Sequence, residues 1–245
     1  MTSDRRSFDK EAGYALATRC NGQVIQGRRQ SEATRNICLD HDTMTNAKMT
    51  TLPPALIERL RSLHDDPARR YHNWSHIQAL LKLLPGVRDR LNDPLAVECA
   101  IVLHDVIYEP TRNDNEKRSA ALAKELISGV VPDDTARRAV QLIEATERHL
   151  VDENMSMEEA EDCRIFLDMD LSILGSSEKA FDDYEAGIRH EYRHVDEAAF
   201  REGRAAILER FLSRDHLYMS EWGREQFEAK ARVNLQRSLQ ALRNV

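Results

Sequence analysis

The run Arg70-Tyr71-His72-Asn73-Trp74-Ser75-His76-Ile77 opens a segment whose later apolar residues, Ile77, Leu80, Leu81 and Leu84, recur at helical spacing. The run is expected to lie on that helix, so His72 and His76 stand i, i+4 on one face. Such a pair alone is usually surface or packing. The metalloprotease pattern H-E-x-x-H is absent, because Asn73 stands where its Glu would be. Two later groups give the pair partners. His104-Asp105 follows the apolar run Ala100-Ile101-Val102-Leu103 directly. Asp168-Met169-Asp170 lies among Phe166, Leu167 and Leu171, where a carboxylate is costly to bury unless paired or metal-bound. His76, His104, Asp105 and one of the two later aspartates can supply nitrogen and oxygen ligands to one divalent metal. That donor set suits Mn, Fe, Ni, Co, Zn or, less well, Mg. Positions i and i+2 of a helix point apart, so one aspartate is expected to coordinate. Asp170 is favoured, and Asp168 is expected to orient a histidine ligand from behind or to serve as the alternative ligand.

Outward from that stretch the chain reads as helices with short connections. Pro53-Pro54 opens a helix that ends near Asp65-Asp66-Pro67. The helix holding the histidine pair stops near Pro85-Gly86. Asp93 caps the next, with Pro94 at its first position; apolar on most sides, it is expected to be central and to run into His104-Asp105. After a loop at 108–113, Asp114 is expected to cap a helix that Gly129 closes. Further helices are expected over 132–150, 155–172, 177–192, 197–212 and 220–242. With no strand pattern in sight, the expectation is an all-α bundle of about nine helices. Residues 1–50 differ: 19–49 is polar, mixed in charge and without apolar periodicity. A disordered extension is expected there, with a short helix near 10–19 as the alternative and Met44 and Met49 as alternative starts. The domain is expected over 51–245.

Composition narrows the class. The 245 residues carry a net charge of -7, which argues against a general nucleic-acid binder. Four scattered cysteines form no C-x-x-C pair and no disulfide framework, so a reducing cytoplasm is expected. No apolar run is long enough for a membrane span, and no apolar stretch follows the basic N-terminal residues as a secretory signal requires.

The ordered motifs resemble a known family. His…His-Asp…Asp on helices resembles the HD superfamily of metal-dependent phosphohydrolases. A bacterial subgroup of predicted HD phosphohydrolases is more similar still. Its signatures resemble Tyr71-His72-Asn73-x-x-His76-Ile77, His104-Asp105-x-x-Tyr108, Asp114-Asn115-Glu116-x-x-Ser119-Ala120 and Asp168-x-Asp170-Leu171-x-Ile173-Leu174-Gly175. Tyr184…Arg189-x-Glu191-Tyr192 and Ala231-Arg232-x-Asn234-Leu235 match it too. The resemblance spans 51–245 and implies an HD-like helical bundle. The YHNxxH run also resembles cyclic-nucleotide phosphodiesterases, whose first histidine protonates the leaving oxygen while the second binds metal. Carried over by position, His72 would be the general acid and His76 a ligand. The chain lacks that family's glutamine-bearing purine pocket and the extra histidines of strongly two-metal HD proteins. Some nucleotidases carry HDxxE, whose Glu would fall at 108, where this chain has Tyr; Glu116 is the candidate substitute.

The implied chemistry is hydrolysis of a phosphate ester or anhydride of a nucleotide or other small phosphorylated metabolite. Metal-bound water would be the nucleophile, Asp105 its proton acceptor and His72 the acid. Lys117, Arg118 and Arg189 are candidates to hold phosphate oxygens, against the commoner role of solvated helix faces. Two rivals remain: a metal- or nucleotide-binding sensor without turnover, and an interaction protein with no site.

Overall fold

The computed structural model describes residues 50–244, and the expectations for 1–49 lie outside the described residues. Nine α-helices form the described chain: α1 Pro54–His64, α2 Trp74–Val87, α3 Pro94–Leu103, α4 Asn115–Ile127, α5 Asp133–Ala145, α6 Met157–Asp170, α7 Glu178–Glu191, α8 Glu197–Leu212 and α9 Glu221–Arg243. Two 3-10 turns, Arg88–Arg90 and Leu171–Gly175, extend α2 and α6. The described residues contain no strand, so the fold is all-α. No helix among them is long and apolar enough to cross a membrane.

Helix α3 is central. Its residues from Ala96 to Leu103 are all buried, and it packs against α1, α2, α4, α5 and α6. Asp93 caps it by accepting from the Ala96 amide, with Pro94 just inside. Its one acidic residue, Glu98, is fully buried and accepts from the Thr51 amide at 2.5 Å and from the hydroxyls of Thr50 and Thr51. Cys99 and Cys163 are free and buried, and burial pushes both thiols up to about 12, so they pack as small hydrophobes.

The core has two parts. One, around α3, takes apolar residues from α1 to α6. The other begins at Leu171 and is built by the 3-10 turn, α7, α8 and α9. Helix α6 joins them, packing against α2, α3, α5 and α9 and running into the turn that seats on α9. Gly175 is required there, because a Cβ would lie 2.6 Å from Phe227 Cβ. Asn234 fixes the same turn, donating to the carbonyls of Leu174 at 2.9 Å and Ser176 at 3.1 Å.

Two boundaries and one cap differ from the sequence expectation. Helix α2 starts at Trp74, not before Tyr71: Asn73 is its cap, accepting from the Ser75 amide at 2.8 Å. His72 therefore precedes the helix. The Asp114 carboxylate does not cap α4, because it is taken by Arg112 at 2.7 and 2.6 Å. Helix α5 ends at Ala145, short of 150, and His149 beyond it has a left-handed backbone with φ of 48°.

Candidate metal centre and pocket

Four side chains converge where α2, α3 and α6 meet. His76 sits in the first turn of α2, His104 caps α3, Asp105 follows it, and Asp170 ends α6. His76 Nε2 lies 3.1 Å from His104 Nε2 and 3.1 Å from Asp170 Oδ1. His104 Nε2 lies 3.0 Å from Asp105 Oδ2 and 3.5 Å from Asp170 Oδ1, and His76 Nε2 is 3.8 Å from Asp105 Oδ2. The ligating atoms of His76, His104 and Asp105 all lie within 4.8 Å of one another; Asp170 falls outside that tight set but reaches both imidazoles. Two ligands bonded at about 2.1 Å to one ion, at tetrahedral or octahedral angles, stand about 3.0–3.4 Å apart. Most of these separations are of that size.

The tautomer fits as well. His104 Nδ1 is 3.0 Å from the Ile101 carbonyl, which can only accept, so Nδ1 carries a proton and a neutral ring turns its Nε2 lone pair inward. Two imidazole nitrogens and two carboxylates suit a divalent transition metal. Burial opposes each charge, but Asp105 and Asp170 outweigh it and hold His104 well above the ordinary imidazole range. The histidines in turn hold both carboxyls below theirs.

The two aspartates of α6 part company. Asp170 faces the histidines, and Asp168 faces the other way. Its carboxylate accepts from the Met219 amide at 2.8 Å, the Ser220 amide at 2.7 Å and Ser220 Oγ at 2.6 Å. The expected role of Asp168 behind a histidine, or as alternative ligand, is thus corrected: it anchors the start of α9, where Ser220 is the cap. The anchor is close, for a Cβ on Gly223 would lie 2.3 Å from Asp168 Oδ2.

His72 occupies a different place from His76, with ring centroids 6.3 Å apart. Its Nδ1 donates to Glu191 Oε2 at 2.7 Å, and its ring stacks on Tyr108 at 4.1 Å. Glu191 is buried at the end of α7 and also accepts from the Tyr71 amide at 2.7 Å, the His72 amide at 3.1 Å and Tyr108 Oη at 3.0 Å. Burial opposes a charge on His72, yet Glu191 outweighs it and raises the imidazole above its usual value. Burial also works against the Glu191 charge, but His72 and the two amides hold its carboxyl low.

His72, Tyr108, His104, Asp105 and Asp170 line a pocket of about 790 Å³, its open mouth included. Glu116 lines it from α4, and burial, with Asp105 and Glu147 nearby, raises its carboxyl. His149 lines it too, with Nε2 at 2.9 Å from Asp170 Oδ2. His149 was not among the site residues expected from the sequence. The sequence signal was thin: one histidine in a connection between helices.

The expected phosphate-binding cations lie elsewhere. Exposed Lys117 pairs with Glu147 at 3.0 Å, and Arg118 with Glu109 at 2.8 Å. Arg189 spends its guanidinium on Glu197 Oε2 at 2.9 Å and on the carbonyls of Tyr192 and Val195, joining α7 to α8. None of the three lines the pocket. Other motif residues are structural. Asn115 makes paired bonds with the Glu109 backbone at 3.0 Å each, and Ser119 bonds the Ile107 amide at 3.0 Å and carbonyl at 3.1 Å. Together they fold the loop after Asp105 onto α4.

No family model, curated protein or solved structure matches the chain.

Proposed function

We propose that this chain is a metal-dependent phosphohydrolase of the HD kind, acting on a small phosphorylated substrate. The observation that carries this is the spacing of His76 Nε2, His104 Nε2, Asp105 Oδ2 and Asp170 Oδ1, which matches the edges of a coordination polyhedron. The resemblance of the ordered motifs supports the same reading. A divalent ion held by these four residues supplies a Lewis acid and a water whose pKa falls towards about 7.

The chain's own residues do the rest. Asp105 and Glu116, both on the pocket, accept protons from the attacking water; the raised carboxyl of Glu116 suits it to take one and pass it on. His72 Nδ1 is committed to Glu191, so Nε2 is the nitrogen that gives its proton to the leaving oxygen. Stacking on Tyr108 fixes the ring plane. His149 holds the far oxygen of Asp170 and so sets the direction of Oδ1.

One observation favours a second reading, a binding sensor without turnover. Tyr108 stands where HDxxE hydrolases carry a glutamate, and its hydroxyl is used on Glu191. The test is phosphate release from a panel of phosphate esters and anhydrides, with chelator-stripped protein given Mn, Fe, Co, Ni, Zn or Mg in turn. Metal-dependent release is expected. Stoichiometric metal binding with no release from any substrate selects the sensor, and no metal binding removes both readings.

A further inference from the structure

The pocket is divided by chemistry. Its charged side comes from the chain before α6, namely His72, His104, Asp105, Glu116 and His149, with Asp170 at the end of α6. The second part of its lining is Ile173 from the 3-10 turn, Tyr184 and Ile188 from α7, and Phe200, Arg204 and Ile207 from α8. Apart from Arg204 and the Tyr184 hydroxyl, which bond each other, that wall is apolar, and its apolar residues belong to the second core.

Permanent positive charge is scarce in it. Among the described residues Arg204 is the one Lys or Arg lining the pocket, and its charge is already matched. Its Nε donates to Glu185 Oε2 at 3.3 Å, and its Nη2 donates to Glu185 Oε1 and to Tyr184 Oη at 2.9 Å. A substrate with a chain of phosphates would have one phosphoryl group at the metal cradle and the others against apolar side chains or beside Glu116. Each extra anionic charge would lose its water and gain no cation.

We propose that the site takes a phosphomonoester of a compact, apolar alcohol, with the phosphoryl group at the cradle and the hydrocarbon body against Phe200, Ile173 and Ile207. This rests on the hydrolase reading for its chemistry but on the pocket wall for its specificity. In the reaction the bond from phosphorus to the alcohol oxygen breaks and one from phosphorus to the water oxygen forms. The alcohol oxygen takes the His72 proton, and the water's proton, passing through the pocket carboxylates, restores it.

The test compares benzyl phosphate, ethyl phosphate, 5′-AMP and ATP on the metal-loaded full chain. The first three lose primary alcohols of similar basicity, so differences in kcat/KM among them report recognition of the body. Benzyl phosphate is expected to exceed ethyl phosphate and 5′-AMP by about tenfold or more, with ATP poorest. Ile207→Ala and Ile173→Ala, both at half-buried positions, should each shrink the benzyl-to-ethyl ratio by about threefold or more. Calorimetric binding of non-hydrolysable benzylphosphonate against 5′-AMP keeps the question open to refutation without turnover. If the phosphonate binds more tightly and nothing is hydrolysed, the hydrolase reading falls and the pocket assignment stands. Tighter binding of 5′-AMP or ATP, or faster turnover of either, overturns the assignment.

Discussion

The two halves of the pocket are made differently. The cradle is set by backbone: each ligand sits at a helix end or first turn, and each helix axis is fixed by the fully buried residues of α3 and α6. The wall is set by side-chain packing in the second core, where Phe200 and Tyr184 are buried and Ile173 and Ile207 only partly so. A cradle of this kind tolerates little change at its ligands. A packed wall tolerates substitution that keeps volume. Damage to the cradle should therefore abolish activity, whereas damage to the wall should redistribute it among substrates.

The sharpest break comes from the ligands. His104→Ala or His76→Ala should lower bound metal, measured by elemental analysis, and cut phosphate release by about 10³-fold or more, because Lewis-acid and water activation go together. Phe200→Ala should keep its metal. A His104→Ala protein with full metal and full activity would end the metal reading.

Next in size is His72. His72→Ala should retain metal and slow hydrolysis by about 10²–10⁴-fold, the usual worth of a general acid, with a smaller loss on p-nitrophenyl phosphate, whose leaving group needs little protonation. The pH profile tests the same assignment. Because the folded-state pKa of His72 is raised, the acid form persists above the ordinary imidazole value of 6.5, and the alkaline limb of kcat/KM should lie there. Glu191→Gln removes the charge that raises it, so the limb should move to lower pH. An unmoved limb would assign the titration to another group.

The anchor of the wall is a matter of stability. Asp168→Ala leaves the amides of Met219 and Ser220 without their acceptor and should cost about 2–4 kcal/mol in urea unfolding. Metal content at temperatures where the fold persists should be unchanged. The N-terminal edge gives a smaller loss. A chain begun at Leu52 removes the Thr50 and Thr51 donors from buried Glu98, which has Arg88 at 3.9 Å, and should be about 1–3 kcal/mol less stable than one begun at Met49.

What the sequence disclosed follows the same division. Helix number and most boundaries were legible, because Pro53-Pro54, Asp93-Pro94, Ser177 and Gly129 mark ends by local backbone chemistry. His76, His104, Asp105 and Asp170 stood out because ionisable groups inside apolar runs need a partner. Glu191 appeared only inside a family-like motif, without a role, and His149 not at all, since their partners, His72 and Asp170, are remote in sequence and only the packing of the helices brings them in. The i, i+4 reading of His72 and His76 failed for a local reason: Asn73 is a strong cap, and the helix begins after it. Asp168 and Asp170 show the limit of spacing arguments. Helical geometry said that they diverge but not that the diverging one would hold α9. The apolar wall had no signature, because Phe200 and Ile207 look like any core residues of an amphipathic helix.

The smallest effect is expected where the sequence suggested a function and the structure shows a surface. Lys117 follows Glu116 on α4, but adjacent helical residues point about 100° apart, so Glu116 turns to the pocket while Lys117 turns out. Its ammonium is 3.0 Å from Glu147 Oε1, with the side chain 64% exposed. An exposed pair of this kind is worth about 0–1 kcal/mol and is screened by salt. Lys117→Ala should therefore change kcat/KM on benzyl phosphate by less than about twofold and stability by less than about 0.5 kcal/mol. Glu116→Gln, its neighbour on the pocket side, should by contrast slow turnover by about tenfold or more if its carboxyl carries protons. Measured together at two ionic strengths, the adjacent variants separate proximity in sequence from proximity to the substrate. A loss of tenfold or more in KM for Lys117→Ala, growing at low salt, would restore Lys117 as a phosphate-binding residue and shift the pocket's charge balance towards more anionic substrates.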